Sequence, residues 1–362
     1  MRRNGAPSFE ERFLETLSNA PGVSGGEGAV REALIGMVRD QVDTLEIDAM
    51  GSLVARIEPA PTTGRARGSA RTQREGPHVM LCAHMDEIGL LVTAIDKDGR
   101  LRVRKVGGID TRILVGQVFR VGTAGLRGVV GCLPPHLVPR AEREKVTPIE
   151  DLYLDLGSTS REDVQDRVVI GDYAVFDTTY ERWGSTAKGK AFDDRAGCAV
   201  LASLVQRRPP VPLTAVWTVQ EEVGLRGAAA AARRVSPDLA IVLEGTASGE
   251  MPRVDRAESA PRMGEGPALT IQDRSLMADR RLLERIQKVA REKRIPTQWK
   301  RPGVGGTDAG RIAISGAGVP AAVISAPCRY IHAPAAFLDL RDARRMVDLV
   351  WSTLETLRKE WP

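Results

Sequence analysis

The stretch HVMLCAHMDEIGLLVTAID, residues 78–96, decides the fold. Val79–Ala83 is an unbroken apolar run, short and without alternation, which is how a strand covered on both faces reads. Beyond Ile88 the rhythm changes. From there to Thr178 no helical period is found, only short alternating runs: LLVTAID (90–96), RLRVRKV (100–106), QVFRVG (117–122), GVVGCL (128–133), VVI (168–170) and YAVFD (173–177). Glycines and a Lys97-Asp98-Gly99 turn separate them. The pattern predicts a small all-β domain, sandwich or barrel.

Outward from this segment the rhythm is α/β. After Trp183, helices are expected over 195–207, 226–235, 279–293 and from Leu340 to about Lys359. Strands are expected over 213–219, 239–244, 268–272 and 319–325. Toward the amino terminus, Ser8 with Glu11 and Ser24 with Glu27 form two capping boxes, each opening a helix. Phe9, Phe13, Leu14 and Leu17 give the first its apolar face; Val30, Leu34, Met37 and Val38 give the second. Thr44–Asp48 and Ser52–Ile57, broken at Met50-Gly51, read as a hairpin, and Pro59–Pro77 as a surface loop. The economical organisation is one α/β domain built from both chain ends, 1–87 and 183–362, interrupted by the β domain over 88–182.

Composition excludes several classes. With 42% hydrophobic residues in 362, the chain is no disordered polymer and can fill more than one core. Its longest apolar stretches, such as Cys198–Val205 and Val319–Ile324, fall far short of the roughly 20 residues a bilayer requires, so no membrane partner is expected. The opening MRRNGAPSFEER has no apolar segment of a signal peptide. Cys82, Cys132, Cys198 and Cys328 are scattered without a CxxC pair, which suggests buried reduced thiols and a cytoplasmic location. The charge of +5 comes from dispersed arginines, and aromatic residues are only 4%; a nucleic-acid partner is not expected.

Chemistry concentrates where strands end. His84 closes the buried strand, and His332 follows the strand over 319–325. Asp193 and Asp194 precede a helix, Glu221 and Glu222 end the strand TAVWTVQEE, and Glu244 ends AIVLEG. Open α/β sheets place ligand sites at such ends, and imidazole with carboxylate is a donor set for Zn²⁺, Co²⁺ or Mn²⁺. One bridging carboxylate and four terminal groups would hold two cations. Taken singly, each piece also has a plainer reading: a hydrogen-bonded histidine, a solvated acid pair, an Asp-Asp-Arg helix cap. Glu221 and Glu222 serve one pocket only if the strand's alternation breaks at Val223-Gly224.

Read together, the motifs AHMDEIG (83–89), PPHL (134–137), KAFDDRAG (190–197), QEEVGLRGA (220–228), LEGT (243–246), GGTDAG (305–310) and RYIHAP (329–334) resemble the glutamyl aminopeptidase family of tetrahedral metallo-aminopeptidases, in the clan of two-metal exopeptidases. The resemblance runs nearly end to end. It implies a central mixed sheet flanked by helices, with the β insertion a barrel-like dimerisation domain. It implies two divalent ions per subunit, zinc or cobalt foremost and manganese third. His84 and Glu244 would then be ligands of the first ion, Glu222 and His332 of the second, and Asp193 the bridge. Asp86 would orient the His84 imidazole, and Glu221 would be the general base for a cation-activated water. The Asp193–Asp194 peptide is expected to be cis. Peptide substrates and a homo-oligomer, dimers assembling to a dodecamer, are the implied partners.

Two positions depart from the family. Glu244 stands where many relatives have Asp, and Ala335 or Ala336 where an acid is common. His136, in the PPHL loop, reads as structural or inter-subunit, and His78 as a polar residue opening a strand. Thr307 and Asp308 cap a helix or shape a pocket. Rival readings are a two-metal deacylase or carboxypeptidase acting on N-acyl amino acids, a glycosidase, and a non-catalytic scaffold for assembly. A glycosidase needs two carboxylates across a sugar rather than a His/Asp/Glu cluster.

Overall fold

Residues Val79–His84 form a strand, β3, in which every residue is buried. Val79, Leu81 and Ala83 enter one hydrophobic core, and Met80 and Cys82 enter a second on the opposite face. Period-two geometry turns the continuous apolar run into two packed surfaces. This computed structural model describes residues 9–59, 76–255 and 261–361. Ser8 of the first capping box and most of the 59–77 loop lie outside them.

Strand β3 sits between β12 (Leu213–Thr218) and β13 (Leu239–Ala247), parallel to both, and β13 pairs in parallel with β16 (Ala321–Arg329). The hairpin of β1 (Thr44–Ile47) and β2 (Leu53–Ile57) adds antiparallel strands beside β12. On the other side lie β17 (Ala336–Asp339), β11 (Thr186–Gly189) and β10 (Glu181–Trp183), also antiparallel, with β14 (Ala268–Leu269) and β15 (Gln298–Trp299) attached to β16. Among the described residues this makes a mixed sheet of eleven strands. Helices α1 (Phe9–Asn19), α2 (Gly28–Val38), α4 (Phe192–Leu204), α6 (Arg280–Lys293) and α8 (Leu340–Glu360) cover one face. The other face carries α5 (Arg226–Val235) and α7 (Asp308–Ala313).

The helices follow local chemistry. Asp279 and Asp339 each accept a backbone N–H of the first turn, capping α6 and α8. Along α8, Ala343, Met346, Val347, Val350, Leu354 and Leu357 recur at three- and four-residue spacing and are buried. Burying a leucine such as Leu354 is worth about 1.5–3 kcal/mol.

After β3 the chain enters a closed barrel, ordered β4 (Gly89–Ile95), β5 (Leu101–Val106), β8 (Tyr153–Asp155), β7 (Leu126–Gly131), β6 (Val118–Val121) and β9 (Tyr173–Phe176). Closure leaves no free edge. Leu90, Val92, Leu101, Val103, Phe119, Val121 and Phe176 alternate inward, and the Phe119 and Phe176 rings stand 4.4 Å apart. Gly89 is required at the entry, since a Cβ there would lie 2.7 Å from the Ala174 carbonyl oxygen. The run VVI does not form a strand. Behind the single helical turn α3 (Glu162–Gln165), Val168 plugs the barrel while Val169 and Ile170 face outward, so three apolar residues made a false strand signal. The short β8 carries too little alternation to be foreseen.

Candidate metal centre

The centre lies at the carboxyl ends of the parallel strands. Strands β3 and β13 pair from Val79↔Leu239 to Cys82↔Val242. Two residues further, His84 and Glu244 come level on the same face, and His84 Nε2 is 3.6 Å from Glu244 Oε2. Glu244 is not at its strand's end as expected, because β13 runs on to Ala247. Strand β12 ends at Thr218 opposite His84. Gln220 then adopts a positive φ of 58°, which breaks the alternation and lets Glu221 and Glu222 face one cavity.

Asp193 stands in the middle. Its Oδ1 is 3.2 Å from His84 Nε2, and its Oδ2 is 3.5 Å from His332 Nε2. His332 Nε2 is also 3.3 Å from Glu222 Oε1. Two donor groups result, His84–Asp193–Glu244 and Asp193–Glu222–His332, each with its ligand atoms within 4.8 Å of one another. Asp193–Asp194 is a cis peptide, and Asp194 turns away from the cavity. Its Oδ1 accepts the Gly197 N–H at 2.9 Å, the helix-cap role, and its Oδ2 accepts the His84 N–H at 3.2 Å.

A shell of hydrogen bonds fixes these side chains. His84 Nδ1 is 3.1 Å from the Asp86 carbonyl oxygen and 3.5 Å from the Asp86 carboxylate. That carboxylate accepts the backbone N–H groups of Glu221 and Glu222, at 3.0 and 3.1 Å, and the Ser24 hydroxyl at 2.6 Å. His332 Nδ1 meets the Gly108 carbonyl, in the barrel segment, at 2.9 Å. Ser24 and Glu27 therefore do not form the expected capping box. Helix α2 starts at Gly28 without a side-chain cap, and Glu27 Oε1 accepts from Gly25 and Gln220 N–H instead.

The charge balance fits cations. Burial pushes the Glu221 carboxyl up to about 9, and repulsion from Asp308, Glu222 and Asp193 adds to it. Burial likewise takes Glu222 to about 7 and Glu244 well above its ordinary value, with the charges of Asp193 and Asp194 respectively reinforcing it. His332 is raised to about 10: burial opposes its charge, and Asp193 and Glu222 outweigh burial. Against burial, hydrogen bonds from both imidazoles hold Asp193 below the usual carboxylate range. Glu244 Oε1 is buried with no hydrogen-bond partner. Four carboxylates around two imidazoles need added positive charge, and oxygen and nitrogen donors in this number suit divalent cations.

The remaining candidates lie elsewhere. His136 is exposed in the loop after β7, and His78 Nε2 meets Thr214 Oγ1 at 2.8 Å. Thr307 Oγ1 donates to Asp273, and buried Asp308 accepts from the Thr218 hydroxyl. Ala336 opens β17, and Ala335 precedes it. The sequence reading missed Gly108, Gly245, Arg274 and Lys300, of which the last three line the cavity, Arg274 and Lys300 with charged side chains. Neither belongs to a motif; only the fold brings them there.

The M42 glutamyl aminopeptidase family matches residues 64–349. FrvX of Escherichia coli K12, described as a putative aminopeptidase, is 32% identical over 355 residues, covering 96% of each chain. Lysyl aminopeptidase of Pyrococcus furiosus is also 32% identical, covering 96% of this chain and 97% of that one. Among solved structures, the PhTET1 dodecamer superposes with a TM-score of 0.80 at 31% identity, over 96% of this chain and 98% of that one. The protein is a metal-dependent aminopeptidase, a hydrolase of peptide bonds that uses divalent metal. It belongs to the M42 family.

Proposed function

We propose that the two donor groups hold two divalent ions, zinc or cobalt foremost and manganese third. His84 and Glu244 would bind one, Glu222 and His332 the other, and Asp193 both. The observation that carries this reading is Asp193 itself, whose two oxygens are directed at two different imidazoles. Bound ions polarise a scissile carbonyl and make water a better nucleophile at neutral pH. The chain supplies the rest. Glu221 takes the proton of the attacking water and passes it to the departing amine. Asp86 holds Glu221 and Glu222 by their backbone, and the Gly108 carbonyl aims His332.

The substrates are peptides trimmed from the amino terminus. The barrel segment, 88–182, serves as the dimerisation domain of a homo-oligomer such as a dodecamer. Outward-facing Val118, Val129, Leu133 and Leu137 there support assembly. Four free cysteines, three of them buried and Cys132 partly so, favour a reducing, cytoplasmic setting. No described helix is long and apolar enough to cross a membrane.

The test is metal content with turnover. Chelated protein is reloaded with Zn²⁺, Co²⁺ or Mn²⁺ singly and assayed on aminoacyl and N-acyl substrates. Two ions per chain and hydrolysis of free-amine substrates alone are expected, and His332→Ala should bind one ion. A single ion in the unaltered chain, or preference for N-acyl substrates, overturns the reading.

A further inference from the structure

The face of the sheet that carries the centre continues past it. Met80, Val216, Val242 and Val323 pack beneath α5 and α7, and period two puts His84, Thr218, Glu244 and Ser325 on that same side. Followed sideways by register, the face next shows Arg329 of β16, Phe337 of β17, Lys188 of β11 and Trp183 of β10. Helices α5 and α7 cover it over β12, β3, β13 and β16. Beyond them it opens: Trp183 is 55% exposed, and Tyr330, next after β16, is 48% exposed.

The Phe337 ring stands 6.5 Å from that of Trp183 and 6.2 Å, edge to face, from that of Tyr330. In a chain with only 4% aromatic residues, three are gathered here. Their charged neighbours are already paired, Lys188 with Glu181 and Arg329 with Glu250, each at 2.6 Å. What remains on offer is uncharged ring surface, and an exposed patch of that kind marks an interaction site. It is continuous with the cavity before the donor groups. Ala247 of the cavity rim pairs with Cys328, the neighbour of Arg329, and Tyr330 leads directly into Ile331 and His332 of the cavity wall. Glu244 pairs with Ser325, and Arg329 lies four residues further along β16, with Phe337 on the next strand. The rings are thus about 13 Å along and about 10 Å across from Glu244, a distance that about five extended residues span.

We infer that Trp183, Phe337 and Tyr330 form a docking surface for the peptide substrate itself, holding an apolar or aromatic side chain about five residues from the amino terminus. This extends the amino-terminal trimming proposed above and rests on it. The terminus lies at the donor groups, and the chain behind it runs over the open face to the rings. Aminoacyl amides and dipeptides are too short to reach them. Each cut shifts the peptide by one residue, so a given side chain is held in one cycle and released in the next.

The test uses the metal-loaded protein and octapeptides that begin with whichever residue is released fastest from aminoacyl p-nitroanilides. One peptide has serine at every later position; two others carry a single phenylalanine, at position three or at position five. Phenylalanine at position five should raise kcat/KM of the first cut about threefold to tenfold over serine, through KM, and more than at position three. Trp183→Ala should bring the position-five peptide down to the level of the serine one. The ratio of the two is the readout: an equal fall on every substrate, p-nitroanilide included, makes Trp183 structural and overturns the surface. Should Trp183→Ala fail to fold, Tyr330→Asn decides by the same ratio, because asparagine accepts the positive φ of 60° at that position. Equal rates for the three peptides in the unaltered protein overturn the surface as well. So does a smaller particle on sedimentation of Trp183→Ala, which would make the rings a contact between copies. Hydrolysis of no p-nitroanilide would instead overturn the aminopeptidase centre on which the surface depends.

Discussion

The Glu221 backbone N–H donates to Asp86 Oδ1 at 3.0 Å, so the residue two positions beyond His84 fixes the turn that carries Glu221. The other Asp86 oxygen takes Glu222 N–H and the Ser24 hydroxyl. Ser24→Ala removes one of the acceptor's two partners on that oxygen. Losing a hydrogen bond to a charged group costs about 1.5–3 kcal/mol, and outer-shell changes at metal sites weaken binding or activity about 10–100-fold. Ser24→Ala should therefore lower kcat roughly tenfold with the fold intact, and Ser24→Thr should keep most of it. Steady-state kinetics beside a circular dichroism melt checks both.

Glu221 belongs to neither donor group, yet it shares their cavity. Glu221→Gln keeps the shape and removes the carboxylate proposed as proton acceptor. Turnover should fall about 10²–10⁴-fold while metal content, measured by mass spectrometry, stays at the level of the unaltered protein. Loss of both together would make Glu221 a ligand rather than a base.

Gly245 offers a backbone test. A Cβ there would lie 2.9 Å from Asp193 Cα and from the Phe192 carbonyl oxygen, and backbone atoms cannot step aside. Gly245→Ala should displace Asp193 from between the imidazoles, with a stability loss of about 1–3 kcal/mol as for other overpacked sites. Metal stoichiometry should drop even where the variant folds.

Much of this was legible in the sequence. The doubly buried strand, the α/β rhythm and the β insertion follow from short-range periodicity. So did the ligand-type residues, because only four histidines compete for the role. What could not be read is where a side chain's hydrogen bonds go. Ser24 and Glu27 have the spacing of a helix cap, and the fold redirects both to segments 62 and 193 residues away. The imidazole partner of His332, the Gly108 carbonyl, carries no side-chain signal at all. Lys300, one step beyond β15, looks like any surface lysine in the sequence, yet the fold leaves it only 9% exposed.

Removal of metal should be visible in stability. Without ions the acids of the centre repel one another in a buried space, and cations binding only the folded chain stabilise it by mass action. At a free concentration of 100 times Kd, one site contributes about 2.7 kcal/mol. The melting temperature should fall on chelation and climb again with each added increment of Zn²⁺ or Co²⁺. His84→Ala should flatten that response.

Lys190 and Glu87 form an ion pair at 2.6 Å with both side chains buried, at the point where the chain leaves the sheet for the barrel. Burial brings the Lys190 ammonium down to about 8, and Glu87 opposes that shift. Lys190→Met leaves Glu87 with the Arg195 guanidinium and the Gly22 N–H, each at 3.1 Å. Breaking such a pair from one side costs about 3–5 kcal/mol, toward the low end here because Arg195 stays. A denaturant midpoint shift measures it.

The Gly108 carbonyl that holds His332 makes the barrel more than a detachable ornament. Excising it and splicing the flanking chain together would leave the remaining sheet and helices with their cores, but would strip the His332 Nδ1 of its partner and leave that ring held from one side only. A trimmed, one-domain version of this enzyme would thus be born half-blind at its own centre, however well it folded.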